Sequence, residues 1–163
     1  MPIVRNALLA TGALALGGLI AAQTGVFSGT PPTQLGVRDG RLAAPSTTPN
    51  SVSSQARLHA DHSLREQAHI EPLALRGDRD ATLARIAAVA SEIDGGRLVE
   101  RRPDYLRFEF TTRWMHFVDD AEFWFDPTAN VVQVRSASRL GRKDFDVNRQ
   151  RIEAIRGRLN AAP

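Results

Sequence analysis

Short runs of alternating apolar and polar residues fill the C-terminal half of the chain. Leu106, Phe108 and Phe110 fall on one side of such an alternation, and Arg107 and Glu109 fall on the other. A strand turns successive side chains to opposite faces, so this pattern predicts a strand with one buried face. Similar runs predict three further strands. The four predicted strands are 98–101, 105–112, 117–125 and 131–138.

Two other stretches repeat their apolar residues every three or four positions, which indicates helices with one buried stripe. The first helix is predicted to begin at Asp78 or Asp80 and to run to Asp94, where a Gly-Gly pair ends it. An extended piece at 70–75 precedes it, and the second helix is predicted at 145–159. The stripes consist of Leu83, Ile86, Ala90 and Ile93 in the first helix and Ile152, Ile155 and Leu159 in the second.

This order of elements predicts an α+β fold. Short links between the strands favour antiparallel pairing, and each helix can cover the apolar face of the sheet. We therefore expect an antiparallel sheet of three to five strands with two helices packed on one face. An N-terminal hydrophobic segment and an irregular linker precede this unit.

The last two predicted strands form a hairpin with one register that pairs apolar residues with each other. In that register Phe123 lies opposite Val134, and Glu122 lies opposite Arg135 as a cross-strand ion pair. A shift of one residue would turn every side chain of a strand to the other face. We therefore predict the register that keeps the apolar pairs together.

In this register Asp119 points to the side that the helices cover, where an unpaired carboxylate is costly. Ser136 and Ser138 share that side. Arg139, just after the strand, and Asn148, on the inward stripe of the last helix, are predicted to complete the surroundings of the carboxylate.

The candidate ligand-binding residues extend this group with further carboxylates and arginines. One interpretation is a network of ion pairs that supports the fold. Another is a pocket in which arginines hold an anionic group while serine and asparagine orient it. A third is hydrolysis by a pair of carboxylates. The candidates are Asp119, Asp120, Glu122, Arg135, Ser136, Ser138, Arg139, Asn148 and Arg149.

The N-terminal part of the chain differs from the rest in composition. Residues 7–27 carry no charge, which indicates a signal peptide or an N-terminal membrane anchor over 1–27. The Pro/Ser/Thr-rich stretch 28–56 is predicted to be a linker, either a mobile tether or a segment draped over the domain. The α+β domain is assigned to 57–163. We expect an exported protein, periplasmic or tethered to the inner membrane with its domain outside the cytoplasm.

The composition of the chain excludes some chemistry and some classes of partner. The chain has no cysteine, which excludes disulfides and thiolate chemistry, and Lys143 is its single lysine among 21 basic residues. The 18 acidic residues lie close to the arginines, so no nucleic-acid partner is predicted. His59 and His62 have no carboxylate placed to complete a metal site, so no metal is expected. No cofactor motif is present.

Several motifs of the C-terminal half resemble one known family. They include Phe117-Val118-Asp119-Asp120-Ala121-Glu122-Phe123 and Val134-Arg135-Ser136-Ala137-Ser138-Arg139-Leu140-Gly141, with 49–55 and 70–73 upstream. The chain resembles, over about residues 35–160, the uncharacterised family catalogued as domain of unknown function number 1499. The resemblance implies a domain that usually follows a signal or membrane segment. It implies no reaction.

Taken together, these patterns favour a non-enzymatic exported binding module for a small anionic molecule or an envelope protein, acting through the Arg135–Arg149 region. One alternative is a carboxylate-dependent hydrolase of the cell envelope. Another is an interaction subunit of a membrane complex, with Trp114 and Trp124 on an exposed sheet face. The membrane itself is a partner if the N-terminal segment is not cleaved.

Overall fold

The computed structural model describes residues 4, 17–18 and 24–161, and within them six strands form one antiparallel sheet. The strands are β1 (Ser51–Ser53), β2 (Leu73–Ala74), β3 (Gly96–Arg102), β4 (Tyr105–Thr111), β5 (Val118–Asp126) and β6 (Val131–Ser138). The helices are α1 (Arg65–Ala68), α2 (Arg79–Ser91) and α3 (Val147–Ala161), with a 3-10 turn at Ala56–Leu58.

The sheet confirms the predicted α+β class and antiparallel pairing but has more strands than expected. Its order is β1-β6-β5-β4-β3, and β2 also pairs with β6. Strands β1 and β2 have three and two residues, too few to show an alternating pattern. The predicted register of the β5–β6 hairpin is confirmed: Phe123 pairs with Val134 and Glu122 pairs with Arg135.

The core lies between one face of the sheet, here called the inner face, and the helices α2 and α3. The rings of Phe108 and Phe123 meet edge to face with centroids 6.2 Å apart. Both side chains are fully buried, as are Ile86 of α2 and Ile152 of α3. The Asp78 carboxylate begins α2 by accepting a hydrogen bond from the Ala81 amide at 2.7 Å. Burial of each large apolar side chain contributes roughly 1.5–3 kcal/mol.

The opposite, outer face of the sheet is covered by the chain that precedes β1. Leu42 packs on Tyr105 and Trp124, and Trp124 is only 6% exposed. The expectation of an exposed sheet face at Trp124 is therefore wrong, whereas Trp114 is 65% exposed. The range 28–56 contains both this covering segment and strand β1. Of the two alternatives that the sequence left open for this range, the structure shows the draped segment, which is anchored by isolated side chains and not by a periodic stripe.

The predicted N-terminal hydrophobic segment falls almost wholly outside the described residues, which resume at 24. Within the part of the chain that the structure does describe, no helix combines the length and apolarity needed to cross a bilayer. The following residues run along the domain, where Phe27 packs against Phe117 with ring centroids 5.3 Å apart.

Candidate functional site

The alternation along β5 divides the candidate residues between the two faces of the sheet. Asp119 points to the inner face, and Asp120 and Glu122 point to the outer face. All three are buried, with Asp120 and Glu122 at 0% exposure. The nine candidates therefore do not converge on one site. Eight of them divide between the two faces, four on each, with the sheet between them, and Arg149 lies apart from both groups.

The inner cluster comprises Asp119, Ser136, Ser138, Asn148 and Arg151. Arg151 donates from Nη2 to Asp119 Oδ2 at 2.6 Å and from Nη1 to Asn148 Oδ1 at 2.7 Å. Asn148 donates in turn to Ser138 Oγ at 3.0 Å, and the Ser136 hydroxyl donates to Asn148 Oδ1. Every member thus has a partner within the cluster. The predicted meeting of Ser138 and Asn148 near Asp119 is confirmed.

Arg151 is the member that the sequence analysis missed. It lies three residues after Asn148, on the buried stripe of α3 that also carries Ile152 and Ile155. Its guanidinium stacks over the Phe110 ring at 4.4 Å, so the aromatic core also supports the ion. The signal was the helical spacing from Asn148, which places an arginine at an inward position.

Arg139 lies on the outer face, and the prediction that it partners Asp119 is wrong. The alternation continues one residue past β6, so Arg139 points away from Ser138. Arg139 donates from Nε to Asp120 Oδ2 at 2.7 Å and from Nη2 to Glu109 Oε1 at 2.6 Å. Arg107 approaches Asp120 at 3.3 Å. These four residues form the outer network.

Ionisation in the outer network follows from this pairing. Hydrogen bonds to Asp120 and Glu109 raise the pKa of Arg139 above its ordinary value, against the opposing effect of burial. Burial tends to raise the pKa of Glu109, but the hydrogen bonds and charges of Arg139 and Arg97 together outweigh it, so the pKa is lowered. The Glu109–Arg139 pair is therefore charged at neutral pH.

Glu122 forms a second ion pair on the outer face, with Arg135 at 3.4 Å. The Glu122 Oε1 atom also accepts hydrogen bonds from the Tyr105 hydroxyl at 2.9 Å and from the Gly36 amide at 2.7 Å. Burial raises the pKa of Glu122, although Arg135 opposes the shift. Arg135 additionally donates to the Ala44 carbonyl at 3.2 Å. Both partners thus hold the covering segment in place.

Arg149 belongs to neither cluster, although the sequence analysis grouped it with them. Its guanidinium donates to the carbonyl of His69 at 2.9 Å and to that of Gln67 at 2.7 Å. The residue lies on the flank of α3 that faces the loop after α1. It ties the helix to that loop through backbone oxygens.

A polar cleft of about 340 Å³ opens in the covering segment, next to the Glu122–Arg135 pair. None of the nine candidate residues lines this cleft, whereas Asp119 and Ser138 line a separate cleft of about 330 Å³. The sequence analysis did not predict the polar cleft. The cleft is lined by Gln34, Gly36, Arg38, Asp39, Arg41, Leu42, Ala43, Ala44 and His59.

A tight hairpin presents two arginines to the polar cleft. Arg38 and Arg41 exchange backbone hydrogen bonds of 2.9 and 3.0 Å. Between them Asp39 and Gly40 both have positive φ, 51° and 69°, as a two-residue type I′ turn requires. Residues paired in this way carry their side chains on the same face, a few ångströms apart. The Asp-Gly dipeptide was the sequence signal for this turn.

The charges around the cleft are incompletely paired. Arg38 donates to the Thr33 carbonyl at 3.1 Å, whereas the Arg41 guanidinium has no hydrogen bond or ion pair with another described residue. The Nε2 atom of His59 is buried without a hydrogen-bond partner. Burial and the nearby Arg41 lower the pKa of this histidine, with smaller contributions from His62 and Arg135. The imidazole is therefore neutral at pH 7.

Comparison with known proteins gives one match. The model of a family described as "Protein of unknown function (DUF1499)" matches residues 41–159, which include both clusters and part of the cleft. No curated protein and no solved structure matches the chain.

Proposed function

Since the chain belongs to the DUF1499 family, we propose that it is a non-enzymatic, exported binding module whose polar cleft takes a small anionic ligand. The observation that carries the proposal is the incomplete pairing of the cleft. Two arginines stand opposite each other on a hairpin beside a histidine with a buried, unpartnered nitrogen. A ligand with acceptor oxygens complements all three groups.

The hairpin itself favours an anion. Like charges directly opposite each other on paired residues destabilise a hairpin, and the turn carboxylate of Asp39 forms no ion pair with either arginine. A carboxylate, sulfate or phosphate group between Arg38 and Arg41 removes this repulsion. Guanidinium groups bind such anions through paired, charge-assisted hydrogen bonds. The cleft volume suits a small molecule and not a polymer.

The position of this site differs from the one expected from the sequence. Arg139 and Arg135 are already paired with buried carboxylates, so an anion would have to displace those partners. In our proposal Arg135 and Glu122 support the cleft from below, since each bonds to the backbone of the covering segment. The anionic ligand class remains the one that the sequence analysis favoured.

The geometry gives less support to the two alternatives. A hydrolase needs carboxylates that substrate can reach, whereas Asp120 and Glu122 are at 0% exposure. An interaction subunit that binds through a patch around Trp124 would require that ring to be open, and Leu42 covers it. We therefore prefer the binding module.

Replacing Arg41 with alanine is expected to weaken sulfate binding about tenfold or more, because a charge-assisted hydrogen bond contributes roughly 1.5–3 kcal/mol. Binding can be followed by NMR shifts of the His59 ring and of the amides of residues 36–44 during a sulfate titration. The matched control is Arg57→Ala, which removes the same charge from an exposed arginine paired with Glu66 outside the cleft. Equal weakening by both variants, or shifts that never saturate, would contradict the proposal.

Sulfate affinity is also expected to rise as the pH falls below about 6.5. The free protein holds the pKa of His59 below its ordinary value of 6.5, because of burial and the charge of Arg41. A bound anion stabilises the imidazolium and raises that pKa, so protonation and binding reinforce each other. Sulfate stays doubly charged over this range. In the His59→Gln variant the dissociation constant for sulfate should no longer depend on pH in this range. If it depends on pH as in the wild type, His59 does not contribute to the site.

A further inference from the structure

Four of the seven exposed large apolar side chains of the described residues lie at one end of the domain. This apolar end consists of the turn between β4 and β5 and the link between β6 and α3. Trp114 is 65% exposed in the first, and Phe145 is 85% exposed in the second. Leu140 and Val147, at 40% and 42%, complete the group. Monomeric soluble domains scatter such residues singly, so their clustering marks an interaction surface.

Three of these residues line one cleft. This cleft, of about 330 Å³, has Leu140, Phe145 and Val147 in its wall, and Thr112 and Phe117 in the same wall flank the turn that carries Trp114. Phe145 has a φ of 53°, which is uncommon for a bulky residue and costs conformational energy. The fold therefore imposes on Phe145 a backbone conformation that phenylalanine disfavours, and the ring is exposed.

Basic residues border the apolar end. Arg113 lies over the Trp114 ring at 5.4 Å, and Arg142 and Lys143 are exposed in the other loop. One of the two acidic residues of that loop is less available for pairing with an outside cation. Asp144 accepts hydrogen bonds from the amide and side chain of Asn148, whereas Asp146 is exposed. The border thus has an excess of positive charge.

The chain leads from its uncharged N-terminal stretch to this same end. Phe27 packs on Phe117, and the Ser28 hydroxyl donates to the His116 carbonyl at 3.4 Å. Gly29 lies so close to Leu140 that a side chain there would contact it at 3.0 Å. Phe27, the last residue of the uncharged stretch 7–27, therefore lies beside Phe117, and Gly29 follows beside Leu140.

We propose that the apolar end docks on the headgroup region of a bilayer that contains anionic phospholipid. Aromatic rings with basic residues at their edge are the combination that such an interface binds. The uncharged stretch ends at Phe27, which packs at this end of the domain, so insertion of that stretch would keep the apolar end near the bilayer. The inference rests on the proposed membrane location of that stretch and is independent of the anion cleft, which uses other residues.

The test uses the native Trp114 of the full chain in vesicles that carry brominated acyl chains. Trp124 is buried under Leu42 and serves as an internal reference that the bromine atoms do not reach. With phosphatidylglycerol in the vesicles, we expect a blue shift and strong quenching of the Trp114 emission. Trp114→Phe should abolish the quenched fraction while the far-ultraviolet circular dichroism stays unchanged.

Matched variants separate the surface from the N-terminal stretch. Phe145→Ser is expected to reduce the quenching, whereas Leu58→Ser, an exposed apolar residue elsewhere on the domain, should leave it unchanged. Arg142→Gln with Lys143→Gln should lower the quenching to its value in neutral phosphatidylcholine vesicles. Flotation of the chain with vesicles without quenching of Trp114, equal quenching in neutral and anionic vesicles, or failure to float would each overturn the proposal.

Discussion

Replacing Arg151 with methionine is expected to lower the free energy of unfolding by about 3–5 kcal/mol, the range found when one partner of a buried ion pair is removed. The reason is the position of Asp119, which is 5% exposed and takes its one ionic contact from Arg151 at 2.6 Å. Methionine keeps much of the apolar bulk over Phe110 but provides no charge. Chemical denaturation followed by tryptophan fluorescence measures the loss.

Arg158→Met is the control for this prediction. Arg158 lies on the same helix and pairs with Glu92 at 3.4 Å, but both side chains are about half exposed or more. Such a surface pair contributes about 0–1 kcal/mol, so the control should unfold near the wild-type midpoint. If both variants lose equally little free energy of unfolding, the inner cluster does not stabilise the fold in the way its geometry indicates. Asp119 would then be free to serve a ligand.

Replacing Arg139 with methionine is expected to cost about 3 kcal/mol, near the lower end of the range for a broken buried pair. Asp120, at 0% exposure, would lose two hydrogen bonds, and Glu109 would lose one. Arg107, which lies 3.3 Å from Asp120, still compensates part of the charge of that carboxylate. Thermal unfolding and urea denaturation give the measurement.

Arg97→Met provides the comparison for Arg139, because Arg97 also pairs with Glu109 but is 69% exposed. Its loss is expected to change stability by less than about 1 kcal/mol. A large loss confined to Arg139→Met would mean that the outer network supports the fold. Near-normal stability of that variant, combined with weaker anion binding, would instead return the ligand site to the region first expected from the sequence.

The strands and the β5–β6 register were predictable because they follow from a strict period of two. Phe123 and Val134 could be paired from the sequence, since the neighbouring register sets Ala121 against the charged Arg135. The same reasoning placed Asp119 on the inner face. It failed for Arg139 only because the alternation was not carried one residue beyond the strand.

The outer face could not be predicted in this way. Leu42, Gly36 and Ala44 contact the sheet at isolated positions along the covering segment, so no stripe of apolar residues marks it. The contacts also join residues far apart in the chain, as between Gly36 and Glu122. Periodicity reports on local structure and carries no information on such partners. The Asp39-Gly40 turn was the local exception.

The pairing of β1 with β6 constrains the order in which the sheet forms during synthesis. The first strand of the sheet pairs with the last one, through Val52 and Ser136. The ribosome must therefore synthesise nearly all of the domain before β1 can pair with β6. Pairing between segments so far apart in the chain is slow. The six-stranded sheet is therefore completed only after β6 has left the ribosome.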